Sequence, residues 1–102
     1  MSMYVVLWRF RPLVGRESEF ERAYGPSGPW TRLFRRSDGY LGTDLLRRSD
    51  GSGDYLTLDR WASLAAYEAF RARWSNEYRE LDDQLEELTE DETPLGAFEV
   101  LT

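Results

Sequence analysis

The side chains able to do chemistry in this 102-residue chain are few in kind. There is no Cys and no His, and all thirteen cations are Arg. Thiolate nucleophiles, disulfides, cysteine-ligated metals, imidazole acid–base catalysis and lysine Schiff bases are therefore excluded. What remains for acid–base and electrostatic chemistry, beside neutral hydroxyls, is carboxylate, phenol and guanidinium, in a chain that is 15% aromatic.

The aromatics are spaced so that they could converge. Trp8 and Phe10 share one parity in the alternating run YVVLWRFR (residues 4–11), on the face carrying the bulkier side chains. Tyr24 and Trp30 flank a break in a helical pattern. Tyr67, Phe70, Trp74 and Tyr78 recur at helical spacing further on. Brought around one space, these eight side chains would make a pocket suited to a flat aromatic ligand, with no metal called for. The same spacing equally describes the core of a small domain. Arg9, Asp44, Asp59 and Arg60 lie within strand patterns, where unpaired burial is costly, and ion pairs near the sheet edges or a dimer seam are expected. A catalytic role needs one of them to face the pocket. In residues 55–61, Tyr55, Thr57, Asp59 and Trp61 oppose Leu56, Leu58 and Arg60, and alternation alone leaves either side inward. No catalytic residue is assigned.

The break itself, GPSGP at residues 25–29, lacks the Gly-Lys-Ser/Thr ending of a phosphate loop and follows a helix rather than a strand. It reads either as a stiff rim beside a pocket or as a bend that carries the chain around the sheet edge.

These residues need elements to hold them. Residues 4–11 form a strand covered on both faces, ended by Pro12. Glu17–Tyr24 and a second piece with Trp30, Leu33 and Phe34 are helical. YLGTDLLRR (40–48) and YLTLDRW (55–61) are strands joined through the loop SDGSGD. Ser63 caps a helical stripe running from Leu64 to Leu88, in one piece or jointed at Ser75-Asn76, with Thr93-Pro94 as its stop. Residues 95–101 supply the last strand. The order βαββαβ, in one domain spanning 1–102, predicts a ferredoxin-like α+β subunit, a four-stranded antiparallel sheet with helices on one face. Val5 and Leu7 would leave the other face apolar, so a dimer that pairs two sheets is expected.

Charge narrows the partners. The net value of −6 argues against nucleic acid or an anionic membrane surface. The acidic run after Glu77 reads as a solvated helix face. No apolar stretch is long enough to span a membrane and Met1 opens no signal peptide, which makes the cytoplasm the expected location.

The strand YVVLWRFRP, the segment LFRRSDGYLGTDLLR and the run YLTLDRWASLAAYEAF together resemble the antibiotic biosynthesis monooxygenase family of dimeric α+β barrel proteins. The resemblance extends from about Tyr4 to Leu101. It rests on a Gly-aromatic turn before the second strand and a W-x-S lead into the second helical region, a pattern that specifies fold more than activity. It implies a homodimer with a pocket between sheet and helices in each subunit. Some members are cofactor-free oxygenases of phenolic or polycyclic aromatics. Others degrade haem with an Asn, a Trp and a His. Here Trp8 stands at the position of that Asn, Phe70 at that of the Trp, and no His exists, so the resemblance does not extend to haem degradation.

Oxygenation without a cofactor requires only that the site take a proton from an electron-rich phenol or enol, stabilise the anion and exclude water. A carboxylate in an apolar pocket, a Tyr and an Arg are sufficient. Two functions follow as expectations. One is a cofactor-independent monooxygenase acting on a phenolic or polyketide-like molecule. The other is a non-catalytic dimeric module that binds a small apolar ligand or a protein partner.

Overall fold

The first strand, with large apolar residues on both faces, takes an inner place in the sheet. The computed structural model describes residues 2–101. Its elements are β1 (Tyr4–Pro12), α1 (Glu17–Tyr24), α2 (Pro29–Phe34), β2 (Tyr40–Arg47), β3 (Tyr55–Trp61), α3 (Leu64–Arg73), α4 (Ser75–Leu85), a short 3-10 turn (Glu86–Leu88) and β4 (Thr89–Glu99). The strands lie in the order β2-β3-β1-β4, with every neighbouring pair antiparallel. The result is a ferredoxin-like α+β sheet with its helices on one face.

Register decides which side chains share that face. Phe10 pairs with Tyr55, Trp8 with Thr57, Val6 with Asp59 and Tyr4 with Trp61. Directly opposed residues point the same way, so all eight turn toward the helices. Trp61 and Phe20 are fully buried there, and Phe70 nearly so. Phe34 packs edge-on against both Trp61 and Phe70, at centroid distances of 5.5 and 5.3 Å. Aromatic contact thus carries much of the packing between sheet and helices. Ser63 caps α3, accepting the Ala66 N–H at 3.1 Å.

On the opposite face, Leu7, Leu56 and Leu58 are half-buried, while Leu46 and Phe98 are exposed. The paired charges expected in the strands are found there too. Arg60 is bonded to Asp44, and Arg9 lies 3.6 Å from Asp91. Asp59 departs from that expectation: it turns inward and, among the described residues, pairs with no cation.

The C-terminal third corrects the reading made from periodicity. The helical stripe is jointed at Trp74 and ends at Leu85, and β4 begins at Thr89 rather than Leu95. Acidic residues 90–92 therefore belong to a strand and not to a helix face. Their partners are distant in sequence: Asp91 sits opposite Arg11, and Glu90 approaches the same guanidinium at 3.9 Å. Pro94 is tolerated inside β4 because the strand lies at the sheet edge, where a missing N–H costs no ladder bond. β1 likewise runs one residue past its expected end, with Pro12 paired to Thr89.

Candidate functional site

Between the sheet and the helices lies a cavity of about 270 Å³. Its floor is built by Trp8 and Phe10 of β1, Thr43 of β2 and Thr57 and Asp59 of β3. Tyr24, Trp30, Thr31 and Phe34 of α1 and α2 close one side. Arg71, Tyr78 and Asp82 of the α3–α4 pair, with Glu92 of β4, complete it. Of the eight aromatics singled out from sequence, Trp8, Phe10, Tyr24, Trp30 and Tyr78 line this space.

The other three lie elsewhere. Phe70 is 1% exposed and packs on Trp61 and Phe34, beneath the cavity wall. Tyr67 packs between Tyr4 and Trp61, tilted to the first and edge-on to the second. Trp74 occupies the joint between α3 and α4, with the guanidiniums of Arg36 and Arg73 over its ring at 5.0 and 5.1 Å. Helical spacing places all three on roughly the same side as Tyr78, but the helix is interrupted at Trp74, whose backbone is not helical, so that spacing does not carry across from α3 to α4.

The helix break is held rigidly. The Thr31 hydroxyl lies 2.8 and 3.0 Å from the carbonyl oxygens of Pro26 and Gly28, which share its proton. Arg32 and Arg35 donate to the carbonyls of Ser27 and Pro26. Gly28 is required by close approach, since a Cβ there would collide with the carbonyl oxygens of Arg22 and Ala23. Residues 25–29 do not line the cavity. Their effect is to turn the chain so that Tyr24 and Trp30, 6.2 Å apart, both face inward.

The carboxyl with the most altered chemistry is Asp59. It sits partly buried on the aromatic floor, and burial pushes its carboxyl up to about 6. One bond opposes that shift: the Thr43 hydroxyl donates to Asp59 Oδ1 at 2.7 Å. A hydroxyl has a single proton to give. With that proton committed to the carboxylate, Thr43 must accept from the Tyr40 phenol, its other close partner. The direction Tyr40 to Thr43 to Asp59 is thereby fixed. Oδ1 is engaged, and Oδ2 is left for the cavity.

The remaining polar groups line the same cavity. Tyr78 is pushed up to about 12 by burial, against the pull of Arg71, whose guanidinium carbon lies 4.0 Å from the phenol ring. Arg71 also donates to Tyr67 at 3.0 Å. Tyr24 is raised by burial and by the charge of Glu92, toward which its hydroxyl points at 3.4 Å. Glu92 itself is raised by burial and by Asp82. Among the described residues no cluster of three or more carboxylates is arranged to hold a metal ion, and no helix is long and apolar enough to cross a membrane.

Sequence reasoning left Asp59 undecided and did not single out Thr43, Thr57 or Arg71. One signal for the first was present. Tyr55 and Trp61 share the parity of Thr57 and Asp59, and two large aromatics mark the side that meets the helices. Thr43 carried no such mark, because Gly42 interrupts alternation in β2 with a register shift.

Known proteins place this geometry in context. No curated protein matches the chain. Solved structures do. SnoaB, a cofactor-independent oxygenase from Streptomyces nogalater, aligns over 100% of this chain and 96% of its own, with 20% identity and a TM-score of 0.69. Rv0793 from Mycobacterium tuberculosis aligns over 99% and 95%, with 23% identity and a TM-score of 0.65. A variant of MhuD with two manganese protoporphyrin IX molecules bound per active site aligns over 97% and 95%, with 22% identity and a TM-score of 0.72. At such identities these likenesses establish the fold. The family follows from sequence: the model for antibiotic biosynthesis monooxygenase matches residues 3–84. The chain belongs to the antibiotic biosynthesis monooxygenase family.

Proposed function

We propose that the protein is a cofactor-independent monooxygenase that binds a phenolic or enolic aromatic in the cavity, with Asp59 as the proton acceptor. The observation that carries this reading is a carboxylate held on an aromatic floor with one oxygen fixed by Thr43 and the other left for the cavity. Ionised, Asp59 takes the acidic proton of a substrate methylene, or of its enol, and becomes a neutral acid. The substrate anion reduces dioxygen, and a C–O bond forms to give a peroxide anion on the former methylene carbon. Asp59 returns its proton to make the hydroperoxide. That species loses water by breaking the O–O bond, and a carbonyl is left where the methylene stood. The substrate supplies four electrons, one oxygen atom enters the product and the other leaves as water. Arg71 and Tyr78 stand where they can stabilise the anion, and the packed aromatics keep water from it.

The working form in this reading is a homodimer. Leu7, Leu46, Leu56, Leu58 and Phe98 give the sheet an apolar outer face, and pairing two such faces removes them from water.

The test is oxygen uptake by the purified protein with no added flavin or metal and with a chelator present, against anthrones, naphthols and catechols. Saturable uptake with at least one of them is expected. Uptake at the level of a heat-denatured control for every compound that measurably binds would contradict the oxygenase reading and leave a binding module in its place.

A further inference from the structure

Thr57 is an unusual residue for its place. It is 5% exposed, on the middle of β3 with Trp8 opposite on one side and Leu45 on the other. A Val would fill the same volume without carrying a hydroxyl into an apolar setting. The other cavity threonines both use their hydroxyls within the fold: Thr31 holds the carbonyls of the helix break, and Thr43 holds Asp59. Among the described residues the Thr57 hydroxyl has no side-chain or backbone partner. Nor is it sealed. The sealed, unpartnered polar atoms among the described residues are the indole nitrogens of Trp30 and Trp61. The Thr57 oxygen therefore opens onto the cavity that the residue lines.

Thr57 and Asp59 are two positions apart on one strand, so their side chains rise from the same face about 6.6 Å apart. They offer a pair of hydrogen-bonding groups in a row, with the indole of Trp8 beside the first. We infer that Thr57 holds a second oxygen of the substrate, and that the substrate is an aromatic with two oxygen functions along one edge. Asp59 meets the oxygen or carbon that loses its proton, and Thr57 meets the other oxygen. This rests on the reading of the cavity as an aromatic-substrate site. It adds what that reading lacks, a basis for choosing among aromatics. A site built to bond a substrate oxygen rejects the analogue without it, because its own polar group is then left unpaired.

The experiment compares 1,8-dihydroxynaphthalene with 1-naphthol under nitrogen, each titrated against the protein by quenching of tryptophan fluorescence. The wild type should prefer the diol by about fivefold, the size of one neutral hydrogen bond. Thr57→Val should bring that ratio to about one, and Thr57→Ser should restore most of it. A packing defect would weaken both probes alike and leave the ratio where it was. A ratio unchanged in Thr57→Val, in a protein that melts like the wild type, overturns the inference while leaving the oxygenase reading intact. Failure of both probes to bind the wild type overturns the two together.

Discussion

At the residue scale the account turns on how one carboxylate is held. Burial raises Asp59 and a single donor, Thr43, restrains the rise. An acid whose pKa is about 6 in the folded chain and ~3.9 when unfolded keeps its proton longer in the fold. Stability is therefore greatest below pH ~4 as far as this group is concerned, and it falls as pH climbs through the window to about 6. The loss is about 3 kcal/mol, which the fold bears for having an ionised carboxylate in an aromatic pocket. On the proposed mechanism activity has the opposite slope, since only the ionised form accepts a proton. Removing the Thr43 hydroxyl takes a bond from the charged form and raises the carboxyl further. Thr43→Val should therefore move the acid limb of the kcat/KM profile to higher pH by about one unit, and Thr43→Ser should leave it in place. The other ionisable groups around the cavity are Arg71 from α3, Tyr78 and Asp82 from α4, Tyr24 from α1, Glu92 from β4 and Tyr40 behind Thr43. An acid limb that does not respond to Thr43→Val belongs to one of those groups and not to Asp59.

At the element scale, the two faces of the sheet differ in character. The inner one carries the site, and the outer one carries Leu7, Leu46, Leu56, Leu58 and Phe98. If that outer face joins two chains, Leu58→Glu near its centre should convert a species of twice the chain mass into one of single mass in analytical ultracentrifugation. A wild type that sediments as a single chain at micromolar concentration would contradict the pairing. The elements also show what sequence pattern could convey. β1, α1, β2 and β3 were legible within a residue or two, because alternation, helical spacing and the GPSGP break are local signals; α2 was legible at its start, but it ends at Phe34 rather than near Ser37-Asp38-Gly39. The start of β4 was not. TEDET has little strand propensity, and Leu81, Leu85 and Leu88 keep a helical step up to its edge. What makes residues 89–93 a strand is pairing with β1 and the arginines there, contacts some eighty residues distant. The site divided the same way. Five of the six aromatics that line it were marked by size and spacing, along with three that lie outside it, whereas the inward turn of Asp59 and the reach of Thr43 depend on register between strands.

At the scale of the whole molecule, a chain without His, Cys or Lys has gathered around one cavity the groups it does have: three carboxylates, phenols, a guanidinium and flat apolar rings. That inventory suits a reaction in which substrate and dioxygen supply the electrons and acceptor, and the protein supplies a base, an electrostatic setting and dryness. The family match is consistent with such chemistry without determining the substrate. The central claim is that Asp59 is the base, and the most direct measurement of it uses Asp59→Asn. With a substrate found by oxygen uptake, this variant should bind as the wild type does, by tryptophan fluorescence, and lose at least about a hundredfold in kcat, the scale of a general base. Binding retained with kcat within about twofold of the wild type, far short of that scale, would contradict the account.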